Sequence, residues 1–247
     1  MTAPCAGDPF IRHRVRGEPY SIAPFFVSAI SVDNVIFGFD GKRLRVLLVE
    51  RGVEPFNDSW ALPGEMVRPD EDLDSAAGRI LRELTDLDEV YLEQVASFGT
   101  PGRHPAGRVV TVAYYSLLRE ASYPVLPKGW AKNARYFSID ALPVLAFDHG
   151  EIIEACHERL RERVRTRPVG FELLPKRFTL SDLQSLYESI LGRELDKRNF
   201  RKKILSVGYV EDTGDLQENV SHRPAKLYRF DEERYASSRA VGFDLSL

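Results

Sequence analysis

Two short helical patterns joined by a glycine turn constrain the last third of this 247-residue chain more than any other feature. Thr179 stands where a helix N-cap belongs, with Asp182 three residues on, and Leu183, Leu186, Tyr187 and Ile190 recur at helical spacing before Gly192 stops the run. Phe178 and Leu183 have the spacing of a hydrophobic staple. A second helix is expected from Asp196, which caps Lys197 to Ile204. With about 100° of arc per residue, Phe200, Ile204 and Val207 share one apolar face, while Lys197, Arg198, Arg201 and Lys202 sweep the remaining arc. A helix anchored on one side and cationic on the other, following a first helix across a four-residue turn, fits a helix-turn-helix. Gly208 to Glu211, a polar turn around Thr213, Gly214 and Asp215, and the alternating segment Ala225 to Phe230 then read as a β-wing.

Charge supports a nucleic-acid partner only locally. Residues 171–247 hold thirteen Lys plus Arg and thirteen Asp plus Glu, so the segment has no net basic character, yet Arg193 to Lys203 contains six cations and two acids. Phosphate neutralisation needs such a local stripe. Arg198 and Asn199, near the start of the helix, are placed to read base edges of double-stranded DNA; Lys197, Arg201 and Lys202 join them, and His222, Arg223 and Lys226 on the wing should touch the backbone. One helix-turn-helix reads few base pairs, so a two-fold homodimer on a near-palindromic operator is expected.

Cys5 and Cys156 are too few for a zinc set or a disulfide scaffold, and the five scattered histidines show no metal-ligand spacing. No metal or cofactor is implied. The longest apolar stretches, such as Ala23 to Ile30, are too short to span a membrane, and no signal-peptide pattern opens the chain; a cytoplasmic protein without membrane association is expected. Residues 1–20 mix Pro, Gly and charge without periodicity and read as a mobile tail; 241–247 form a second tail. Ordered structure should begin near Phe25. Val27 to Phe39 and Leu44 to Val49 read as a hairpin around Gly38 to Gly41. Further strands are expected over Val90 to Phe98, Val109 to Leu118 and Arg135 to Ile139, and helices over Asp72 to Leu84 and Glu151 to Arg165. The break at Thr166 to Gly170 places a domain boundary, giving domains 21–166 and 167–240, with Arg167 to Gly170 as a hinge.

The segment from Trp60 to Leu87 resembles a Nudix box, whose pattern is a Gly, five residues, a Glu, seven residues, then Arg-Glu-apolar-any-Glu-Glu-any-Gly-apolar. Glu71, Arg79, Leu81, Glu83 and Leu87 match; Glu65, Ile80, Leu84 and Asp86 replace the first glycine, two helical glutamates and the closing glycine. In active members the carboxylates of this helix hold divalent metals that polarise a diphosphate and activate water. With two of them apolar, hydrolysis is not expected and no catalytic residue is assigned. Arg79 and Glu83, four apart, read as a surface ion pair.

Beyond the box, the run Phe147 to His149, the segment Gly170 to Glu188 and the run Asp196 to Lys203 are similar to the Nudix-related transcriptional regulators. The resemblance implies an α+β chain: a Nudix-type α/β/α sandwich with a mixed sheet, sensing a metabolite, followed by a winged helix-turn-helix that grips operator DNA as a dimer. The family includes an NrtR-like branch tied to NAD metabolism and ADP-ribose-type nucleotides, and an AraR-like branch that answers to pentose sugars. Arg51, Glu65, Glu71, Glu83, Arg103 and Arg108 are the candidate ligand-binding residues, and Trp60 reads as core packing. Loss of metal carboxylates inclines the reading toward a sugar, because a diphosphate would then depend on Arg or Lys alone. Two other readings stand beside the regulator: a Nudix pyrophosphohydrolase acting on ADP-ribose or a nucleoside-diphosphate sugar, and an inactive Nudix module serving as a protein-interaction scaffold.

Overall fold

The computed structural model describes residues 29–85, 90–119, 127, 129–218, 221 and 223–237. The predicted hairpin is formed by β1 (Ala29–Phe39) and β2 (Leu44–Arg51). Its turn is held by Asp40, whose Oδ1 accepts the backbone N–H of Lys42 at 2.9 Å and of Arg43 at 2.8 Å, the local bond that makes Asp a turn former. β5 (Leu92–Phe98), β6 (Val109–Leu117) and β7 (Ala131–Ser138) fall on the expected segments. Two short strands, β3 (Trp60–Ala61) and β4 (Gly64–Met66), lie inside what reads as loop, because two or three residues carry no period of their own. The order is β3-β2-β1-β6-β5, with β4 added to β1 and β7 to β2. β1 and β6 run parallel and every other pair antiparallel, so the sheet is mixed.

Alternation along the strands divides the sheet into two faces. Val32, Val112 and Tyr114 meet Ala76, Ala77 and Ile80 of α1 (Leu73–Thr85), and Ile36, Leu47 and Val49 meet its Leu81. Val35, Phe37, Val46, Leu48 and Tyr115 meet Ile152, Ile153, Cys156, Leu160 and Val164 of α2 (His149–Thr166). This is the α/β/α layering that the box implied. Covered on both faces, β1 is buried from Ser31 to Phe39, and its second half, Val35 to Phe39, carries no polar side chain.

α2 starts at His149, ahead of the expected Glu151. Asp148 sits at the N-cap yet makes no side-chain cap bond, because its carboxylate is taken by Arg103. At the other end Arg167 is extended, with φ −143° and ψ 150°, the region imposed on a residue before proline. The chain then enters a 3-10 helix, Pro168–Leu173, whose Val169, Gly170, Phe171 and Leu173 are buried. The segment expected as a hinge is therefore a packed corner.

α3 (Leu180–Leu191) carries a complete capping box between Thr179 and Asp182 and ends at Gly192 with φ 67°. α4 (Lys197–Ser206) is capped by Asp196, which accepts the Asn199 N–H at 2.8 Å. The turn between them is tied by α3: Gln184 Nε2 donates to Leu195 O, and Glu188 Oε1 accepts Leu195 N–H, both at 2.9 Å. The wing consists of β8 (Val210–Leu216) and β9 (Lys226–Phe230), followed by α5 (Glu232–Ser237). Thr213 to Asp215 is not the wing turn as expected. Those residues form an irregularity within β8, with Gly214 at φ 80° and its N–H bonded to Asp212 Oδ1, so the strand runs on to Leu216 and the connection lies between Gln217 and Ala225.

The two halves share one apolar core. The cluster that holds Phe37 and Leu160 continues through Phe171, Leu186, Tyr187 and Ile190 to Phe200 and Ile204. α2 reinforces the join with polar bonds, since His157 Nε2 at 2.9 Å and Arg161 Nε at 3.0 Å both donate to Ile190 O, a carbonyl in the last turn of α3.

Candidate functional site

A cavity of about 220 Å³ opens where β1, β4, the loop before β6 and the start of α2 converge. Its floor is ionic and buried. Asp33, 6% exposed, lies with Ser31 and Asn34 in the buried polar stretch of β1. Its Oδ2 accepts Thr111 Oγ1–H at 2.7 Å and lies 3.8 Å from Arg103 Nη2, and its Oδ1 lies 3.7 Å from His149 Nε2. Arg103 is committed further by a bidentate pair with Asp148, at 2.5 and 2.7 Å. Leu62 N–H donates to His149 Nδ1 at 2.8 Å, so a neutral ring carries its proton on Nε2, facing Asp33. Burial pushes the His149 pKa below its ordinary value. Gly64 closes the floor: a Cβ there would stand 1.9 Å from Asp33 Oδ1.

The mouth is aromatic and cationic. The Arg51 guanidinium lies 5.0 Å from the Trp130 ring centre and 5.1 Å from that of Phe147, within cation–π range of both. His104 stacks on Phe147 at 5.1 Å, and Phe56 meets the same ring edge-on at 4.7 Å. Phe147 and Phe56 have φ of 53° and 63°, a costly conformation for side chains of this size and one that concentrates where ligands are clamped.

Against the expected ligand residues, the structure brings Arg51, Glu65 and Arg103 to this cavity. Glu83 lines a second cavity of about 290 Å³ beside it, half exposed and 3.7 Å from Arg79. Glu71 lines neither. It binds Arg79 through Oε1 at 2.6 Å and Oε2 at 2.9 Å and accepts Arg68 N–H, and these bonds drop its pKa to about 2. The ion pair expected between Arg79 and Glu83 is thus secondary to one with Glu71. Arg108 is exposed and donates to Gly99 O, away from both linings. Trp60 packs edge-on against Phe137 at 4.7 Å under Arg135, in keeping with a packing role. Sequence reasoning missed Asp33, Trp130, Phe147 and His149. A lone carboxylate within a strand bound to be buried could have signalled Asp33; Phe147 and His149 fall in a run that carries the resemblance but were given no role, and nothing local marks Trp130.

The second candidate surface is the outer arc of α4. Lys197, Arg198, Asn199 and Lys202 are exposed, whereas Arg201 is half-buried, its Nη2 donating to Ser181 Oγ on α3 at 3.2 Å. On the wing, Arg223 is exposed and Lys226 pairs with Asp212 at 2.7 Å; His222 lies outside the described residues. Arg177, just before α3, pairs with Asp215 of β8 at 2.9 Å and borders the same surface. No group of three or more His, Cys, Asp or Glu among the described residues is arranged to hold a metal ion, and no helix among them is long and apolar enough to cross a membrane.

Residues 27–156 match the NUDIX domain family, and residues 170–230 match the family described as the NrtR DNA-binding winged helix domain. The chain is 38% identical over 213 residues to the ADPR responsive transcriptional repressor NtrR of Acinetobacter baylyi, covering 83% of each. Among solved structures it resembles Shewanella oneidensis NrtR complexed with a 27mer DNA, with a TM-score of 0.68 and 32% identity over 81% of this chain and 93% of that one. It also resembles the NUDIX domain of the same protein complexed with ADP ribose, with a TM-score of 0.50 and 32% identity over 57% of this chain and 94% of that one.

Proposed function

Because the chain belongs to the Nudix-related transcriptional regulators of the NrtR type, we infer that its Nudix domain binds ADP-ribose or a close analogue and that this binding controls how the winged helix holds operator DNA. The observation that carries the ligand reading is Arg51 at the cavity mouth, between Trp130 and Phe147, with the aromatic and ionic walls around it. A diphosphate deprived of metal carboxylates needs a guanidinium, and this cavity supplies one at its entrance. The earlier inclination toward a sugar gives way accordingly: the relative and the domain complex both concern ADP-ribose, and the cation that a diphosphate requires is in place.

Ile80 takes the place of a box glutamate, is 3% exposed and packs against Val32 and Val112, so the helix offers apolar surface where hydrolysis needs a metal. The reading is therefore a sensor without turnover. On DNA, Arg198, Asn199 and Lys202 face the major groove, Lys197 and wing residues Arg223 and Lys226 follow phosphates, and Arg201 braces α4 against α3. Operator recognition is by a homodimer.

α2 supplies the coupling. It begins at the cavity with His149 and carries the His157 and Arg161 bonds to α3. A ligand changes DNA affinity only through differential affinity for two arrangements of these parts, and the effect is reciprocal. The test is calorimetric titration of ADP-ribose into the full chain with and without an operator fragment selected from genomic DNA. The expected result is a Kd that differs at least fivefold between the two titrations; equal affinities would remove ADP-ribose as the effector.

A further inference from the structure

Residues 171–247 balance their charges, and four of the acids, Glu211, Asp212, Asp215 and Glu218, fall within eight residues of the wing that contain no Lys or Arg. A surface meant for phosphates needs the opposite. The structure gives two of these acids partners on the DNA side. Lys226 Nζ lies 2.7 Å from Asp212 Oδ2, and Arg177 Nη1 lies 2.9 Å from Asp215 Oδ2. All four side chains are exposed, so the pairs add little to the stability of the fold. Their geometry is nevertheless built. The irregularity in β8 sets Gly214 at φ 80°, where its N–H meets Asp212 Oδ1 at 2.9 Å and leaves Oδ2 for Lys226. Thr213 Oγ1 donates to Leu227 O at 3.0 Å and accepts Asp215 N–H at 3.3 Å. A bulge re-aims side chains, and this one holds both carboxylates toward cations. The Lys226 bond keeps the Asp212 carboxyl below its ordinary value, so the acid stays charged. α4 differs: Lys197, Arg198 and Lys202 are exposed and have no ion-pair partner among the described residues.

We propose that Asp212 and Asp215 act as internal stand-ins for DNA phosphate: they hold Lys226 and Arg177 when DNA is absent and compete for them when it is bound, so that the unpaired cations of α4 set the affinity. This deepens, and rests on, the DNA-binding reading. A free lysine that neutralises a phosphate releases counterions. A lysine that must leave a carboxylate to do so gains much less, because the stranded acid then faces the same phosphates. Backbone contacts carry no sequence information, so muting them on the wing lowers the hold that is common to all duplexes and leaves recognition to the helix that reads bases. An effector that withdraws α4 then removes most of the grip. The pair between Glu211 and Arg229, at 3.0 Å, supplies a contrast. Strand alternation places it on the ribbon face opposite Asp212, which shares its face with Val210, Tyr228 and Phe230, the residues that join the core.

The experiment measures binding of the full chain, at a series of salt concentrations, to an operator fragment selected from genomic DNA and to a random duplex of equal length. Asp212→Asn keeps the oxygen that accepts Gly214 N–H and removes the charge. It and Asp215→Asn should each steepen the slope of log K against log salt by about 0.9 per chain, on both duplexes alike, with urea midpoints matching the wild type. Glu211→Gln, on the other face, should leave the slope unchanged. Lys226→Ala should then take about 0.9 off the slope in the Asp212→Asn chain and less than half of that in the wild type. If neither duplex binds, or if Lys202→Ala leaves operator binding unchanged, the DNA reading falls and this proposal with it. If Lys202→Ala flattens the slope while the aspartate variants leave it as it was, if Glu211→Gln steepens it equally, or if Lys226→Ala costs the same in both backgrounds, the stand-in role alone is overturned.

Discussion

Replacing Arg103 with Met should destabilise the folded chain by about 3 kcal/mol, because it removes the guanidinium that lies between Asp33 and Asp148 and leaves both carboxylates behind. The Arg103 side chain is 4% exposed, and it makes two charge-assisted bonds with Asp148 besides its approach to Asp33. Breaking one partner of a buried pair costs about 3–5 kcal/mol; the lower end applies here, since Asp148 retains 15% exposure and the adjoining cavity admits water. With a urea m-value of about 2 kcal/mol per molar, the unfolding midpoint should fall by roughly 1.5 M. Adding Asp148→Asn removes one of the stranded charges and should recover about half of the loss, a coupling that two independent sites would not show. Tryptophan fluorescence during urea titration of the wild type, both single variants and the double variant supplies the cycle. A midpoint shift below about 0.5 M for Arg103→Met, or strictly additive single-variant effects, would refute the claim that this pair organises the cavity floor.

Gly64→Ala should cost about 2 kcal/mol or more, measured as a lowered melting temperature, because its Cβ would meet Asp33 Oδ1 at 1.9 Å and Val32 O at 3.0 Å. Lys202→Ala should reduce the slope of log K against log salt in operator binding by about 0.9 with no loss of stability. Arg201→Ala should weaken binding and also lower the melting temperature, since that side chain is half-buried against Ser181. His149 and His157 are both held below the ordinary histidine value by burial. The unfolded chain therefore binds more protons below about pH 6.5, and stability should fall as pH drops from 6.5 to 5, by up to about 1.4 kcal/mol per pH unit per imidazole. His157→Gln should flatten that slope in urea titrations run at successive pH values. Incubation of the wild type with ADP-ribose and Mg²⁺ or Mn²⁺ should release no AMP above background; turnover abolished by Glu83→Gln would restore the pyrophosphohydrolase reading.

The sequence by itself determined the elements whose stability is settled within a few neighbouring residues. The Thr179–Asp182 capping box, the Gly192 stop, the Asp196 cap and the apolar stripe of α4 stand where the residue pattern puts them, while the hairpin turn expected at Gly38 to Gly41 lies two residues on, at 40–43. Each is decided by a backbone bond or a helical period spanning one or two turns. The same locality explains the failures. Thr213 to Asp215 has the composition of a turn, and only its pairing with β9, through Thr213 Oγ1 donating to Leu227 O, keeps it within the strand. Asp148 has the residue type and place of a cap, and a guanidinium 45 residues away takes its carboxylate. β3 and β4 exist because β2 and β1 offer them partners.

Tertiary structure alone decided the cavity. Parallel pairing of β1 with β6 sets Asp33 beside Thr111, the loop before β6 brings Arg103, α2 brings His149, and the entry to β7 brings Trp130 against Glu65. The Trp130–Glu65 bond joins residues 65 positions apart, and no periodicity of 2 or 3.6 carries information over that distance. Capping and amphipathicity are local free energies that a reader can sum along the chain. A ligand site is a register between distant segments, fixed when the sheet pairs its strands and the core excludes water around the charges left inside.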